Sequence, residues 1–307
     1  MPKVTLEQWQ TLIAVVENEG YSPAAEAMNK SQSSVSYAIQ KLESSLNVRA
    51  FKVEGRNAVL TDAGKALFRK AKILVEEARQ MEDLAQQFAE GWEPEIRIAM
   101  DTLFPDWLML EVIDQFTQER PLTRIELRET VLSGTDEALL RKEADLVIGG
   151  RVPPGFLGDP ILNIEFIAVA SDDHPLHKVN RSLDYQDLRL HRQIVVKDSG
   201  SRDMDAGWLG ADQRLTVSNL RTSIEAACKG LGYAWYPKLK IQQELNGGRL
   251  KPLQLSAGGK RNVQLNLIYA EGNYAGQATQ LFGSLLKTTA QRIEQSEGFL
   301  PMKRKTF

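Results

Sequence analysis

Apolar residues in the first part of the chain recur at helical spacing. Leu6, Trp9, Leu12, Ile13 and Val16 line one face of a helix. The run T-L-E-Q at Thr5–Gln8 predicts a capping box at its start, with Val4 and Trp9 spaced as a hydrophobic staple. Gly20 ends this helix, and Ser22-Pro23 opens a short second one that turns Ala24, Ala27 and Met28 inward. Asn29-Lys30 predicts a tight turn, and Ser31 a cap for a third helix. In that helix Val35, Ile39, Leu42 and Leu46 form the buried stripe, while Gln32, Ser33, Ser36, Tyr37 and Gln40 front the other side. Short, uncharged hydrogen-bonding groups approach base edges at small desolvation cost, whereas a merely solvated face carries more Glu and Lys. A short helix, a tight turn and a polar-fronted helix make a helix-turn-helix, whose second helix enters the major groove of double-stranded DNA. Residues 49–53 and 57–60 read as two short strands around Glu54-Gly55-Arg56, a wing with Arg56 at its tip.

From Thr61 the steps alternate between four and three. Leu67, Ala71, Leu74, Ala78, Met81, Ala85 and Phe88 define a heptad seam, which predicts a dimerising coiled coil. A homodimer presents two reading heads to a partly palindromic site. Gly91-Trp92-Glu93-Pro94 ends the helix. Beyond it, strands at 96–100, 125–129 and 145–149 alternate with helices at 105–120 and 135–142, which predicts an open, largely parallel sheet. Such sheets bind ligands beyond the C-terminal ends of their strands. Further strands at 165–170, 193–197 and 215–218 form a second group, a helix follows at 222–229, and the chain returns at 266–270 before a last helix at 274–294.

Composition narrows the function. The 307 residues fit two or three domains, and 42% hydrophobic with 25% charged residues is ordinary for a globular protein. A net charge of -2 argues against a uniformly basic coat. Yet between Tyr21 and Lys72 nine basic residues face only four acidic ones, the footprint of a small phosphate-binding module. No apolar run is long enough to span a membrane, and the N-terminus MPKVTLEQWQ lacks an apolar signal segment, so a cytoplasmic location is expected. One cysteine, Cys228, excludes an intramolecular disulfide and reads as a small apolar residue rather than a redox sensor. In His174-Pro175-Leu176-His177 the proline breaks the helix that paired metal ligands would need, and no metal or cofactor is expected. Phosphate-loop, nucleophile-elbow and dinucleotide fingerprints are absent, which leaves an enzyme as a rival without machinery. A solute-binding protein would explain a cleft but not the N-terminal module.

The run SPAAEAMNKSQSSVSYAIQKLESSLNVRAFKVEGRNAVLTDAGKAL, Ser22 to Leu67, resembles the winged helix-turn-helix of LysR-type transcriptional regulators. It departs from that family's habit at Val53, where an arginine is common, and at Tyr37, where a longer polar or basic residue is common. The resemblance implies an α/β fold with an all-α N-terminal module. This would comprise a winged helix-turn-helix over 1–61, a linker and dimerisation helix over 62–91, and a two-lobed effector domain like a type-2 periplasmic binding protein over 92–307. Lobe I would take 92–164 and 266–307, and lobe II 165–265. It implies DNA contacts from Ser22, Lys30, Ser31, Gln32, Ser33, Ser34, Ser36, Tyr37, Gln40, Lys41, Arg49, Lys52 and Arg56. A small polar or anionic effector would then meet Asp101, Thr102, Leu103, Thr130, Val131 and Gly149 from one lobe. From the other it would meet Lys197, Asp198, Ser199, Ser201, Ser218 and Asn219, with Lys197 as charge partner. Assembly to a homotetramer, DNA bending set by the effector, and contact with RNA polymerase are further expectations of the resemblance.

Overall fold

The computed structural model describes residues 2–54, 57–204 and 209–295. The chain divides into two compact units, Met1–Glu90 and Gly91–Phe307.

In the first unit, α1 (Leu6–Glu17), α2 (Tyr21–Ala27) and α3 (Gln32–Leu46) pack around Leu12, Val15, Ala24, Val35, Ile39 and Leu42. The capping box forms as its spacing requires: the Gln8 amide donates to Thr5 Oγ1 at 3.3 Å, and the Thr5 amide to Gln8 Oε1 at 2.9 Å. Asn29, at φ 53°, makes the turn between α2 and α3. Ser31 caps α3, its Oγ accepting from the Ser34 amide at 3.2 Å, and Asn47 closes it in the left-handed conformation. Strands β1 (Phe51–Glu54) and β2 (Asn57–Leu60) pair antiparallel with Phe51 opposite Leu60, and lead into α4 (Asp62–Ala89).

Two contacts lock the wing in place, one to α3 and one to α4. Glu43 is buried, and its Oε1 accepts from the backbone amides of Ala50 (2.7 Å) and Phe51 (3.1 Å), while Oε2 meets Arg49 at 3.1 Å. By composition it is one of the four acids opposing the basic window; folded, it is a strap. Gly64, in the first turn of α4, lies against the Ala50 carbonyl, and a Cβ there would overlap that oxygen and come within 2.9 Å of Leu60 Cδ2. The glycine of the L-T-D-A-G run is thus a close-approach residue inside a helix, where glycine is otherwise a poor choice.

The seam on α4 divides. Leu67 and Ala71 pack into the core of their own unit. Leu74, Met81 and Phe88 remain 48%, 72% and 54% exposed, with Ile73 beside them.

In the second unit the elements in chain order are β3 (Glu95–Asp101), α5 (Asp106–Glu119), β4 (Arg124–Thr130), α6 (Ser133–Leu140), β5 (Leu146–Gly149) and β6 (Gly158–Ser171). There follow α7 (Tyr185–Arg189), β7 (Arg192–Val196), β8 (Gln213–Val217), α8 (Leu220–Cys228), β9 (Ala234–Pro237) and α9 (Gln242–Asn246). Last come β10 (Leu250–Pro252), β11 (Lys260–Tyr269) and α10 (Gln277–Gln295). The main sheet runs β10-β6-β11-β5-β3-β4, β9 adds to β6, and β7 and β8 form a separate parallel pair.

This sheet is mixed, not largely parallel as the sequence suggests. Only β3 runs parallel to β4 and β5, while β6 and β11 are antiparallel to every strand they touch. The expected strands at 165–170 and 266–270 are halves of longer ones, because β6 and β11 pair with each other almost end to end and keep each other's backbone groups bonded. Residue by residue, β6 passes from one core to another: Ile164 and Phe166 pack with Met100, Phe116 and Phe282, whereas Ile167 and Val169 pack with Ile194 and Tyr236.

Candidate functional site

The polar front of α3 is displayed much as its spacing predicts. Ser22, Ser31, Gln32, Ser33, Ser34, Tyr37, Gln40 and Lys41 are exposed, and Ser36 is half-buried. Ser31 Oγ also bonds the hydroxyls of Ser33 (2.9 Å) and Ser34 (2.8 Å), grouping three short side chains at the positive end of the helix. The basic residues are less free than composition suggests. Lys30 pairs with Glu7, and Lys72 with Glu17 at 2.8 Å, both acids lying on α1, outside the stretch counted as basic. Arg49 reaches Glu43 with its side chain 82% exposed, and Lys52 is exposed on β1. Lys41 carries no ion pair among the described residues. Arg56 lies outside the described residues.

In the second unit the ends of β3, β4 and β7 converge on a cavity of about 230 Å³. Four of the residues expected there line it: Asp101, Thr102, Leu103 and Val131. Thr130 lies behind the wall, its hydroxyl bonded to Thr135 Oγ1 at 2.7 Å, and Gly149 is pressed against the Thr135 methyl.

Most of the candidates from the other side bond to the 131–137 segment instead. Asp198 is buried and accepts hydrogen bonds from the Ser133 amide (3.0 Å), the Ser133 hydroxyl (2.6 Å), the Gly200 amide (3.0 Å) and the Met204 amide (2.7 Å). Ser199 Oγ accepts from the Val131 amide at 2.8 Å and donates to its carbonyl at 3.1 Å. Ser201 donates twice to Glu137 Oε1, at 2.7 and 2.8 Å. These bonds form a latch between the 131–137 and 198–204 segments. Lys197 is exposed and pairs with Asp203 at 3.9 Å, away from the cavity wall. Ser218 is exposed, and Asn219 caps α8 by accepting from Arg221 and Thr222.

The cavity's chemistry comes largely from residues that the sequence reading did not single out. Phe166, Ile194, Leu220, Trp235, Tyr236 and Val263 make most of its wall apolar, with Asp136, Arg151, Gln193, Ser223 and Arg261 as polar interruptions. Arg151 and Arg202 both flank Asp136, at 3.8 and 3.6 Å. Burial pushes the Asp101 carboxyl up to about 7, against the pull of the Leu103 amide and Lys240, and also raises Asp136. Arg261 faces no carboxylate among the described residues, and burial lowers its affinity for its proton. One signal for it is legible in the sequence: Arg261, Val263, Leu265 and Leu267 alternate along one strand, so a lone arginine occupies an otherwise apolar face.

The remaining titratable groups have structural explanations. His174 Nδ1 accepts from the Leu176 amide at 3.2 Å, and burial together with the neighbouring His191 and His177 pushes this imidazole down to about 4. Cys228 packs half-buried against the second core, and burial raises its thiol. Among the described residues no group of three or more His, Cys, Asp or Glu is placed to hold a metal ion, and no helix is long and apolar enough to cross a membrane.

Two family models match the chain: the LysR substrate binding domain over residues 89–291, and the bacterial regulatory helix-turn-helix protein, lysR family, over residues 6–65. The chain is 31% identical over 250 residues to the uncharacterized HTH-type transcriptional regulator YeeY of Escherichia coli K12, covering 78% of this chain and 80% of that one. It is 28% identical over 251 residues to the HTH-type transcriptional activator AllS of Salmonella typhimurium, covering 80% and 82%. Among solved structures it is similar to the full-length virulence activator AphB of Vibrio cholerae, with a TM-score of 0.51 at 20% identity, over 93% of this chain and 99% of that one. It is also similar to full-length LysG of Corynebacterium glutamicum with bound effector Arg, with a TM-score of 0.52 at 17% identity, over 94% and 99%.

Proposed function

The chain belongs to the LysR family of DNA-binding transcriptional regulators, and on that premise we propose which of its residues read DNA, pair subunits and take the effector. The reading rests foremost on the front of α3, whose exposed side chains from Ser31 to Gln40 are uncharged hydrogen-bonding groups. Gln32, Ser33, Ser36, Tyr37 and Gln40 contact base edges. Ser22, Ser31, Ser34, Lys41, Arg49, Lys52 and the wing's Arg56 hold phosphates, with Lys30 divided between Glu7 and the DNA. A dimer of such heads selects a partly palindromic promoter site, and dimers pair as a tetramer able to bend DNA and to meet RNA polymerase.

Selection of genomic fragments by the full-length protein at physiological salt tests the reading. A partly palindromic motif beside a few promoters is the expected result; binding without sequence preference overturns it. Changing Gln32 and Ser33 together to alanine is expected to weaken the selected site by about tenfold or more while leaving random DNA nearly unchanged. Lys41→Ala is expected to weaken all sequences alike and to shorten the salt dependence by about one phosphate contact.

The exposed part of the α4 seam supports dimerisation through Leu74, Ala78, Met81, Ala85 and Phe88, with Leu67 and Ala71 anchoring the helix to its own unit. Leu74→Glu with Met81→Glu is expected to yield monomers in sedimentation equilibrium. Loss of the second reading head is expected to weaken a palindromic site by about a hundredfold or more.

The effector occupies the cavity bounded by Asp101, Thr102, Leu103 and Val131. Thr130, Gly149, Asp198, Ser199 and Ser201 shape it from behind, and binding biases the arrangement of the latch segments. A saturating effector is then expected to change the length of the DNase footprint on the selected site.

A further inference from the structure

The floor of the cavity is one face of the sheet, and its register fixes what a ligand meets. Phe166 on β6 stands opposite Arg261 on β11 and opposite Pro237 on β9, so the three side chains form one row across the strands. All three line the cavity. The guanidinium carbon of Arg261 lies 4.6 Å from the Phe166 ring centroid, and its Nε is buried with no hydrogen-bond partner among the described residues. Arg151, the other cation in the wall, is already engaged with Asp136 and donates to Met204 Sδ at 3.2 Å. A half-buried guanidinium with its Nε unbonded, stacked on a ring and pairing with no carboxylate among the described residues is a costly arrangement unless an anion completes it.

The rest of the lining sets the class of that anion. Leu103, Val131, Ile194, Trp235 and Val263 leave a body-sized apolar space with few hydrogen-bonding partners. Of the two cations in the wall Arg151 is committed to Asp136, so Arg261 alone is left to neutralise a ligand and a second negative charge would go unpaired. Phosphate esters and dicarboxylates carry that second charge; a monocarboxylate does not. Sugars and polyols would leave their hydroxyls facing aliphatic and aromatic carbon.

Resting on the reading of this cavity as the effector site, we propose that the effector is a small monocarboxylate with an apolar body, its carboxylate on the Arg261 guanidinium and its body over Phe166 and Trp235. Arg261 is then the specificity-determining residue of the cavity and the charge partner expected at Lys197.

Calorimetric titration of the full-length protein tests this, using straight-chain carboxylates from butanoate to octanoate, benzoate, phenylacetate, their primary amides, and inorganic phosphate. At least one acid is expected to bind at least about tenfold more tightly than its amide, with phosphate inert. Arg261→Met, which keeps the stem over Phe166, is expected to remove that preference, and Arg261→Lys to keep part of it. Val131→Trp, which fills the cavity, is expected to abolish binding of acid and amide alike, with a thermal melt showing that each variant is folded. If amides bind as tightly as acids and lengthen or shorten the footprint, the proposed class is wrong while the cavity remains the effector site. If acids bind with unchanged affinity to both Arg261→Met and Val131→Trp, the cavity is not where they bind, and both readings fall. If no acid in the series binds, the proposed class is overturned.

Discussion

Gly64→Ala is expected to destabilise the DNA-binding unit by about 3 kcal/mol and to abolish specific DNA binding at physiological temperature. The sign is unusual. In an exposed helix interior, glycine to alanine stabilises by about 1 kcal/mol, because alanine loses less backbone entropy on folding. Here the added methyl would overlap the Ala50 carbonyl oxygen and press on Leu60 Cδ2 at 2.9 Å. That carbonyl is held in place by the Thr61 amide, which donates to it at 2.9 Å, while the Thr61 hydroxyl caps α4 and bonds the Arg49 carbonyl at 2.7 Å. Relief therefore requires either the start of α4 or the strand entering the wing to move. Movement of that strand loosens the Glu43 strap, because Ala50 and Phe51 are the residues whose amides the carboxylate holds. A loss of this size lowers the melting point of a domain of this length by about 10–20 °C. Circular dichroism melts with DNA titrations check it, with Ala66→Gly on the exposed face as a control that costs only the usual helix propensity, about 1 kcal/mol. A Gly64→Ala protein as stable as the parent would show that the turn relaxes freely.

The second large effect belongs to the latch. Asp198→Ala is expected to cost the second unit about 3 kcal/mol, because it strips acceptors from the buried Ser133 amide and hydroxyl. Asp198→Asn keeps one acceptor oxygen and is expected to cost less. The pH dependence gives an independent check. Burial alone would raise this carboxyl, but the Ser133 hydroxyl and the surrounding amides outweigh it and hold it below its usual range. A carboxyl lowered on folding stabilises fully above its unfolded value of about 3.9, and that contribution is lost as pH falls through the folded value. The gap between the parent and Asp198→Asn is therefore expected to be full at neutral pH and to shrink in acid. Asp101 works in the opposite direction: its folded value of about 7 exceeds the unfolded one, so the folded state loses stability as pH rises through that range. Denaturant titrations at several pH values separate the two. An Asp198→Asn gap independent of pH would remove the charged latch from the account.

Much of this was legible in the sequence because it is local. Thr5, Ser31 and Thr61 sit three residues from their capping partners, and the stripe from Val35 to Leu46 needs only the helical period. What stayed hidden depends on pairing across long separations. Glu43 reads as surface charge until β1 folds back on it, and Lys30 reads as free until α1 brings Glu7 alongside. The family resemblance points to Asp198, Ser199 and Ser201 as effector contacts, yet a resemblance in sequence does not tell a residue that lines a cavity from one that ties its walls together. The floor was the hardest part. Phe166, Pro237 and Arg261 become neighbours only through strand register, which a single sequence does not encode in any short motif.

The paired strands β6 and β11 carry a mechanical consequence. Within the second unit the two strands form a hydrogen-bonded ribbon, paired from Lys260 opposite Ile167 to Ile268 opposite Gly158 and interrupted only by a bulge at Leu265/Asn266. Such a ribbon carries the right-handed twist of paired strands, and a bulge increases that twist locally. If the cavity takes the effector as proposed, its occupancy is expected to twist this ribbon, with the bulge at Leu265/Asn266 as the point where the ladder is already broken.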